Sequence, residues 1–249
     1  MSLEIKISKN KVSYAKAMNA LNKRVESLKN SQGNELLWIL EHPITFTGGI
    51  RAKDEEILDK SIKIVKTNRG GKITLHNPGQ KVVYFVLNLN KRKKDIRNLI
   101  NRVEKIIIEF LEFFNISAHS DKDNIGIWVN NKKIAAIGIR VTNWIAYHGF
   151  SININNNLAP YSKIIPCGLD NKKVTSVKNE IRTWKDSLTE QLNPKFSSHL
   201  YSQSDDRLEN IESVSAQYAE KEEWVDGRII IRDNFDALLE SNDKLLLFG

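Results

Sequence analysis

The chain has 249 residues, 41% of them hydrophobic and 27% charged, which excludes a wholly disordered protein and supplies enough apolar side chains for one large core or two small ones. Its single cysteine, Cys167, leaves no internal disulfide and no cysteine-rich metal framework. No segment approaches the ~20 apolar residues of a membrane span, and Met1 to Lys6 lack the apolar stretch of a secretory signal, so a cytoplasmic location is expected. The net charge of +8 is unevenly divided: residues 1–177 carry 29 Lys and Arg against 15 Asp and Glu, whereas residues 178–249 carry 9 against 15. A basic body suits nucleic acid, an anionic membrane or an acidic protein. Its densest cluster, Lys91 to Lys94, has no interleaved aromatics and reads as a solvated turn rather than a base-stacking platform.

Tyr14, Met18, Leu21, Val25 and Leu28 recur at helical spacing and predict a first helix that ends near Asn30 to Gly33. Leu36 to Leu40 predict a buried strand. Thr45 to Gly49 read as a turn-rich loop, followed by a short helix around Asp54 to Leu58. Ile62 to Val65 alternate as a strand, Asn68 to Gln80 read as loop, and Val82 to Leu89 as the strongest strand. Ile96, Leu99, Ile100, Val103, Ile107, Phe110 and Phe114 mark a second helix, with Asp95 at its N-terminus. Gly126 to Val129, the Asn130-Asn131 turn and Lys133 to Arg140 predict a hairpin, and Ile145 to Ile154 continue the sheet, with Gly149 expected as a bulge or a close-approach glycine. Helices punctuated by hairpins imply an α+β fold with a mixed or mostly antiparallel sheet and flanking helices. Residues 178–249 read as an acidic C-terminal extension of unknown role, with a further hairpin expected at Asp226-Gly227.

Cys167 stands between Pro166 and Gly168, one fixing the backbone and the other clearing space, a setting that suits a nucleophile as well as a buried core thiol. The segment Arg69-Gly70-Gly71-Lys72-Ile73-Thr74-Leu75-His76 to Gln80 concentrates glycines, a hydroxyl, a histidine and basic groups in one loop. Paired glycines let a ligand approach the backbone, although the spacing is not that of a phosphate-binding loop. Lys133 opens the apolar arm Ile134 to Gly138; it either caps the hairpin turn beside Lys132, which is expected to face water, or turns inward, where an ammonium can activate a thiol. His76 and His148 are further polar candidates; His42, His119 and His199 read as structural.

Taken together, Arg69-Gly70-Gly71 with Thr74, His76 and Pro78-Gly79-Gln80, then Lys133 to Arg140, His148-Gly149 and Pro166-Cys167-Gly168 closely resemble the lipoyl(octanoyl) transferase family. Glu41-His42-Pro43 followed by Thr47 and Gly49 is similar to that family's early turn. The resemblance spans about residues 10–177 and implies a catalytic domain over 1–177 with the fold of biotin and lipoate protein ligases. It implies transfer of an octanoyl group from acyl carrier protein, through a cysteine thioester, to a lysine of lipoyl domains of 2-oxoacid dehydrogenases and of the glycine cleavage H protein. Carried over by position, Cys167 is the nucleophile and Lys133 its partner. Substrate would be bound by Arg69 to His76, by Ala136, Ile137 and Gly138, and by His148, Gly149, Phe150 and Ser151, the last standing where a small apolar residue is expected. No cofactor, metal, nucleic acid or membrane is implied. The rivals are an ATP-dependent lipoate or biotin ligase of the same fold, which needs no cysteine, and a basic nucleic-acid-binding protein, which leaves Lys133 and Cys167 unexplained.

Overall fold

The computed structural model describes residues 3–166 and 174–181. A seven-stranded sheet runs in the order β1 (Leu3–Ile7), β2 (Glu35–Leu40), β6 (Gln80–Asn88), β10 (Ile145–Asn153), β9 (Lys132–Thr142), β8 (Ile127–Val129) and β7 (His119–Ser120). Only β1 and β2 are parallel; the other neighbours are antiparallel. A second sheet holds β4 (Ile64–Lys66), β3 (Thr45–Gly48) and β5 (Ile73–His76). This is the α+β, mostly antiparallel arrangement expected from the sequence.

Helix α1 (Tyr14–Lys29) has Ser13 as its N-cap and buries Ala17, Leu21, Val25 and Leu28 on one face of the large sheet, against Trp38, Val86 and Tyr147. Helix α2 (Ile96–Glu112), capped by Asp95, buries Leu99, Val103, Ile107 and Phe110 on the opposite face, against Phe85, Phe150 and Ile152. Alternation along β6 and β10 sorts their side chains between these two layers. The small sheet buries Phe46, Ile73 and Leu75 with Tyr161 and Ile164.

Four expectations are corrected. Strand β1 is unforeseen: Leu3, Ile5 and Ile7 alternate with Glu4 and Lys6, but the pattern is only five residues long and the strand is exposed along most of its length. Thr45 to Gly49 and Asn68 to Gln80 are not only loop, since β3 and β5 lie within them and pair with each other; each is four residues long, too short for periodicity to show. Arg92 is not part of a solvated turn: its guanidinium makes a two-pronged bond with Glu35 at 2.5 and 2.6 Å, and Glu35 also accepts from the Asn88 N–H. Such pairing across 57 residues of sequence carries no local signal. Lys132 does not face water alone, because its ammonium lies 2.7 Å from buried Glu180.

Gly149 is a close-approach glycine rather than a bulge. The register of β10 against β9 runs through it without a shift, and at φ +155° a Cβ would collide with the Val83 carbonyl oxygen. The fold also runs past residue 177: residues 177–181 are helical, Lys178 donates to the Ile154 carbonyl at 2.9 Å and Ile181 packs on the main core. The rest of the expected extension, including the hairpin at Asp226-Gly227, lies outside the described residues.

Candidate active site

Beyond Ala135, β9 has no β8 partner, and its open edge forms one wall of a cleft of about 650 Å³. The Arg69 loop is drawn against that edge so closely that a Cβ on Gly70 would lie 2.8 Å from the Ile139 carbonyl oxygen. Arg69 holds the loop there. Its guanidinium donates to the carbonyls of Thr47, Gly70 and Lys72 and to the Thr47 hydroxyl, at 2.8–2.9 Å. A buried cation is thus solvated by fixed dipoles in place of water, which offsets its desolvation. Lys72 pairs with buried Glu56.

Of the expected substrate residues, Arg69, Gly70, Gly71, Lys72, Thr74, His76, Ala136, Ile137, Gly138, His148, Gly149, Phe150 and Ser151 line this cleft together with Lys133. Ile73 and Leu75 do not. As alternate residues of β5 they point into the core of the small sheet, so the expectation that the whole run Arg69 to His76 faces substrate is corrected by the period of the strand. Cys167 lies outside the described residues, but the chain on either side of it is anchored. Ile164 pairs with Ile57 and the Ile165 N–H donates to the Glu56 carbonyl at 2.8 Å. After the segment, Val174 bridges to Lys133, and the Thr175 N–H donates to the Lys133 carbonyl at 2.9 Å. The segment that carries the cysteine therefore returns to the fold at the lysine.

Lys133 is 7% exposed. Its ammonium donates to the Ile125 carbonyl at 2.9 Å and lies 5.3 Å from the centre of the Trp128 ring. Of the two orientations open to it in the sequence, the structure has the inward one.

Beside the cleft, rings from four elements meet. Tyr14 stacks on His76, His42 packs against both, and Tyr84 links His42 to His148. His42 hydrogen-bonds the Val12 carbonyl at 2.6 Å and the Tyr84 hydroxyl at 2.9 Å. Burial keeps all three histidines neutral. It holds His76 down to about 3, helped by His42 and Arg69, and His148 down to about 3, helped by Arg69 and Arg140; burial lowers His42 as well, against the bond to the Val12 carbonyl, which favours the protonated ring. Above the ordinary histidine range, near pH 6.5, neither folded nor unfolded chain protonates these rings. Below it the unfolded chain takes up protons that the folded one refuses, so stability is lost progressively as pH falls from about 6.5 toward 3. Urea titrations between pH 7.5 and 4.5 should show that loss, at up to ~1.4 kcal/mol per pH unit for each ring; a His76→Gln His148→Asn double variant should lose less.

His148 is a backbone outlier in a central strand, at φ +69°. Alternation would send it toward α2 with Ala146 and Phe150. The left-handed turn instead lays its ring on Tyr147, at 4.7 Å and 23°, on the α1 side. Tyr14, Tyr84, Asn68 and Arg140 were missed from the sequence as parts of this site. Tyr14 and Tyr84 are indistinguishable there from core residues, and nothing local marks Asn68 or Arg140.

The model of the lipoyl protein ligase A/B catalytic domain matches residues 13–200. The chain belongs to that family. It is 44% identical over 177 residues to an octanoyltransferase of Wolbachia sp. subsp. Brugia malayi (strain TRS), covering 69% of this chain and 86% of the relative. It is 40% identical over 183 residues to that of Anaplasma marginale (strain St. Maries), covering 71% and 86%. Within the ligase A/B family the chain is thus an enzyme of the octanoyltransferase group. A structure of lipoate-protein ligase A bound with ATP superposes with a TM-score of 0.56 at 14% identity, covering 76% of this chain and 86% of that one. The T. acidophilum protein Ta0514 superposes at 0.56 and 15%, covering 81% and 86%. At such identities these two bear on fold alone. Among the described residues, no group of three or more His, Cys, Asp or Glu is placed to hold a metal ion, and no helix is long and apolar enough to cross a membrane.

Proposed function

We propose that this enzyme moves an octanoyl group from octanoyl-acyl carrier protein onto a lysine of lipoyl domains, by way of a thioester on Cys167. The observation that carries the reading is the return of the Cys167 segment to the backbone of an inward-facing, buried lysine. Acceptors of this chemistry are the lipoyl domains of 2-oxoacid dehydrogenases and the glycine cleavage H protein.

A free thiol, with a pKa of about 8.5, is mostly protonated near neutral pH, and a neighbouring cation raises the thiolate fraction. Lys133 is that cation. The Cys167 thiolate adds to the carbonyl carbon of the carrier thioester, and the tetrahedral oxyanion collapses by breaking the bond to the carrier sulfur. The carrier leaves as a thiolate and takes a proton, while the octanoyl group stays on Sγ. The neutral amine of the acceptor lysine then attacks the same carbon. Collapse breaks the bond to Sγ, an amide remains, and the proton lost by the amine balances the thiolate returned to Cys167. One thioester exchanges for another and then for a more stable amide, so no nucleotide is consumed.

The test uses the full chain with octanoyl-acyl carrier protein and a lipoyl domain, read by intact mass. Octanoylation of the domain is expected without ATP, with a mass adduct on Cys167 when the acceptor is withheld. If the domain is modified only when ATP and free octanoate are supplied, the ligase reading replaces this one.

A further inference from the structure

We propose that Glu180 is a positioning residue for the transfer: it fastens the chain that returns from Cys167 to the backbone of Lys133. This inference rests on the acyl-transfer reading above. Nothing in that reading uses Glu180, which follows the last motif residue and yet is only 6% exposed. A carboxylate is rarely taken out of water unless partners offset the cost of desolvation. Two partners do so here. One Glu180 oxygen accepts from the Lys132 ammonium at 2.7 Å and from the Thr175 hydroxyl.

Each partner adjoins Lys133. Lys132 precedes it in β9, and Thr175 donates its N–H to the Lys133 carbonyl at 2.9 Å. Thr175 has no polar group to spare: its carbonyl accepts from the Asn153 side chain at 3.0 Å, and its hydroxyl is taken by Glu180. Three directional bonds thus fix a residue that is 2% exposed. The carboxylate itself stands on firm ground. It is carried by the helical turn 177–181, which opens at Ser176, whose carbonyl accepts from the Glu180 N–H at 3.1 Å and whose hydroxyl accepts from the Asn179 N–H at 3.3 Å. Fully buried Val177 packs that turn on the main core.

The strand needs such a fastening because its own ladder is interrupted at the lysines. Between the pairs Ile127–Ala135 and Trp128–Lys133, β9 advances two residues while β8 advances one, and β10 pairs with β9 no further than Ala135. A strand that slips by one residue swaps its two faces. Here the swap would exchange Lys132 for Lys133. Val174 takes the place beside Lys133 that β10 leaves, and Glu180 binds Lys132. With Lys132 so held, Lys133 alone of the two lines the cleft, its ammonium on the Ile125 carbonyl and near the Trp128 ring.

The experiment uses the full chain with octanoyl-acyl carrier protein and no acceptor, and reads two quantities: the rate at which Cys167 gains an octanoyl adduct, and the pH profile of Cys167 alkylation by iodoacetamide. Glu180→Ala and Thr175→Val should slow the adduct by roughly threefold or more, though by less than Lys133→Ala, and should move the profile part of the way toward about 8.5. Thr175→Ser keeps the hydroxyl and should restore both readouts; Glu180→Gln keeps an accepting oxygen and should lie between. Because the clamp acts through Lys133, Glu180→Ala should move neither readout further in a Lys133→Ala background. A carboxylate that served stability alone would lower the melting temperature and leave the profile in place. The proposal is overturned by folded Glu180→Ala or Thr175→Val proteins with the wild-type profile, or by a further shift in the Lys133→Ala background. If Glu180→Ala does not fold, Thr175→Val decides, since valine keeps the shape of threonine. A wild type that forms no octanoyl adduct on Cys167 would instead remove the acyl-transfer reading, and the clamp with it.

Discussion

Lys133→Ala is expected to lower octanoyl transfer by roughly tenfold or more near neutral pH, the loss of thiolate when a thiol activated to a pKa of about 7 or below returns to about 8.5, while the protein stays folded. The ammonium is buried against the Ile125 carbonyl and the Trp128 ring, so its removal takes away the cation to which the Cys167 segment returns. The diagnostic readout is the pH dependence of Cys167 alkylation by iodoacetamide. With Lys133 present, the thiol should react at a lower pH than a free cysteine; in Lys133→Ala the profile should move up toward about 8.5. An unchanged profile would remove the proposed pair. Lys132→Ala is not a silent control, because it strips a partner from Glu180 and loosens the segment that follows Val174. Lys23 on the exposed face of α1 is the better comparison.

Arg69→Lys should destabilise the protein by about 2–4 kcal/mol, a sum over several buried acceptors left unmade. In a chain of this size that is on the order of 5–15 °C in melting temperature. One guanidinium reaches three carbonyls and a hydroxyl on strand β3 and on its own loop. A lysine keeps the charge but has one head group and cannot span them. The Arg69 loop would then relax away from the open edge of β9, so transfer should fall with a rise in KM for the acyl carrier substrate. If the Arg69→Lys variant keeps the wild-type melting temperature and KM, the loop is held by other contacts.

Much of the scaffold was legible in the sequence because long elements repeat their signal. The 17 residues of α2 and the nine of β6 carry several turns or alternations each, and the Asn130-Asn131 hairpin announces itself by residues that accept positive φ. Strands β3 and β5 offered four residues apiece, embedded among glycines, and were hidden by the motif they support. Among the candidate site residues, Lys133 was legible as a charge opening an apolar arm, but its direction was not. Ile73 and Leu75 were placed in the cleft as part of the run Arg69 to His76 that the family resemblance carried over whole, although a strand sends neighbours to opposite sides. The dependence of His148 on Asn68 spans 80 residues of sequence, and no local rule reaches that far.

The junction between the two sheets is made largely of carboxamides. Gln80 donates to the Asn153 oxygen and to the Leu75 carbonyl while its own amide oxygen accepts from His76 Nδ1–H, and Asn156 joins Asn153 to Asn77. Hydrocarbon lies on either side of that seam, in the clusters of the large and small sheets, but little of it crosses. Oily surfaces adhere at many angles, whereas directional donors and acceptors are satisfied at one. Each amide bond adds only about 0.5–1.5 kcal/mol of net adhesion, yet together they admit a single placement of one sheet over the other. The joint therefore works as a key rather than as a glue: by fixing β5 through Leu75 and His76 it fixes how the Arg69 loop that leads into β5 meets Gly138 on the open edge of β9.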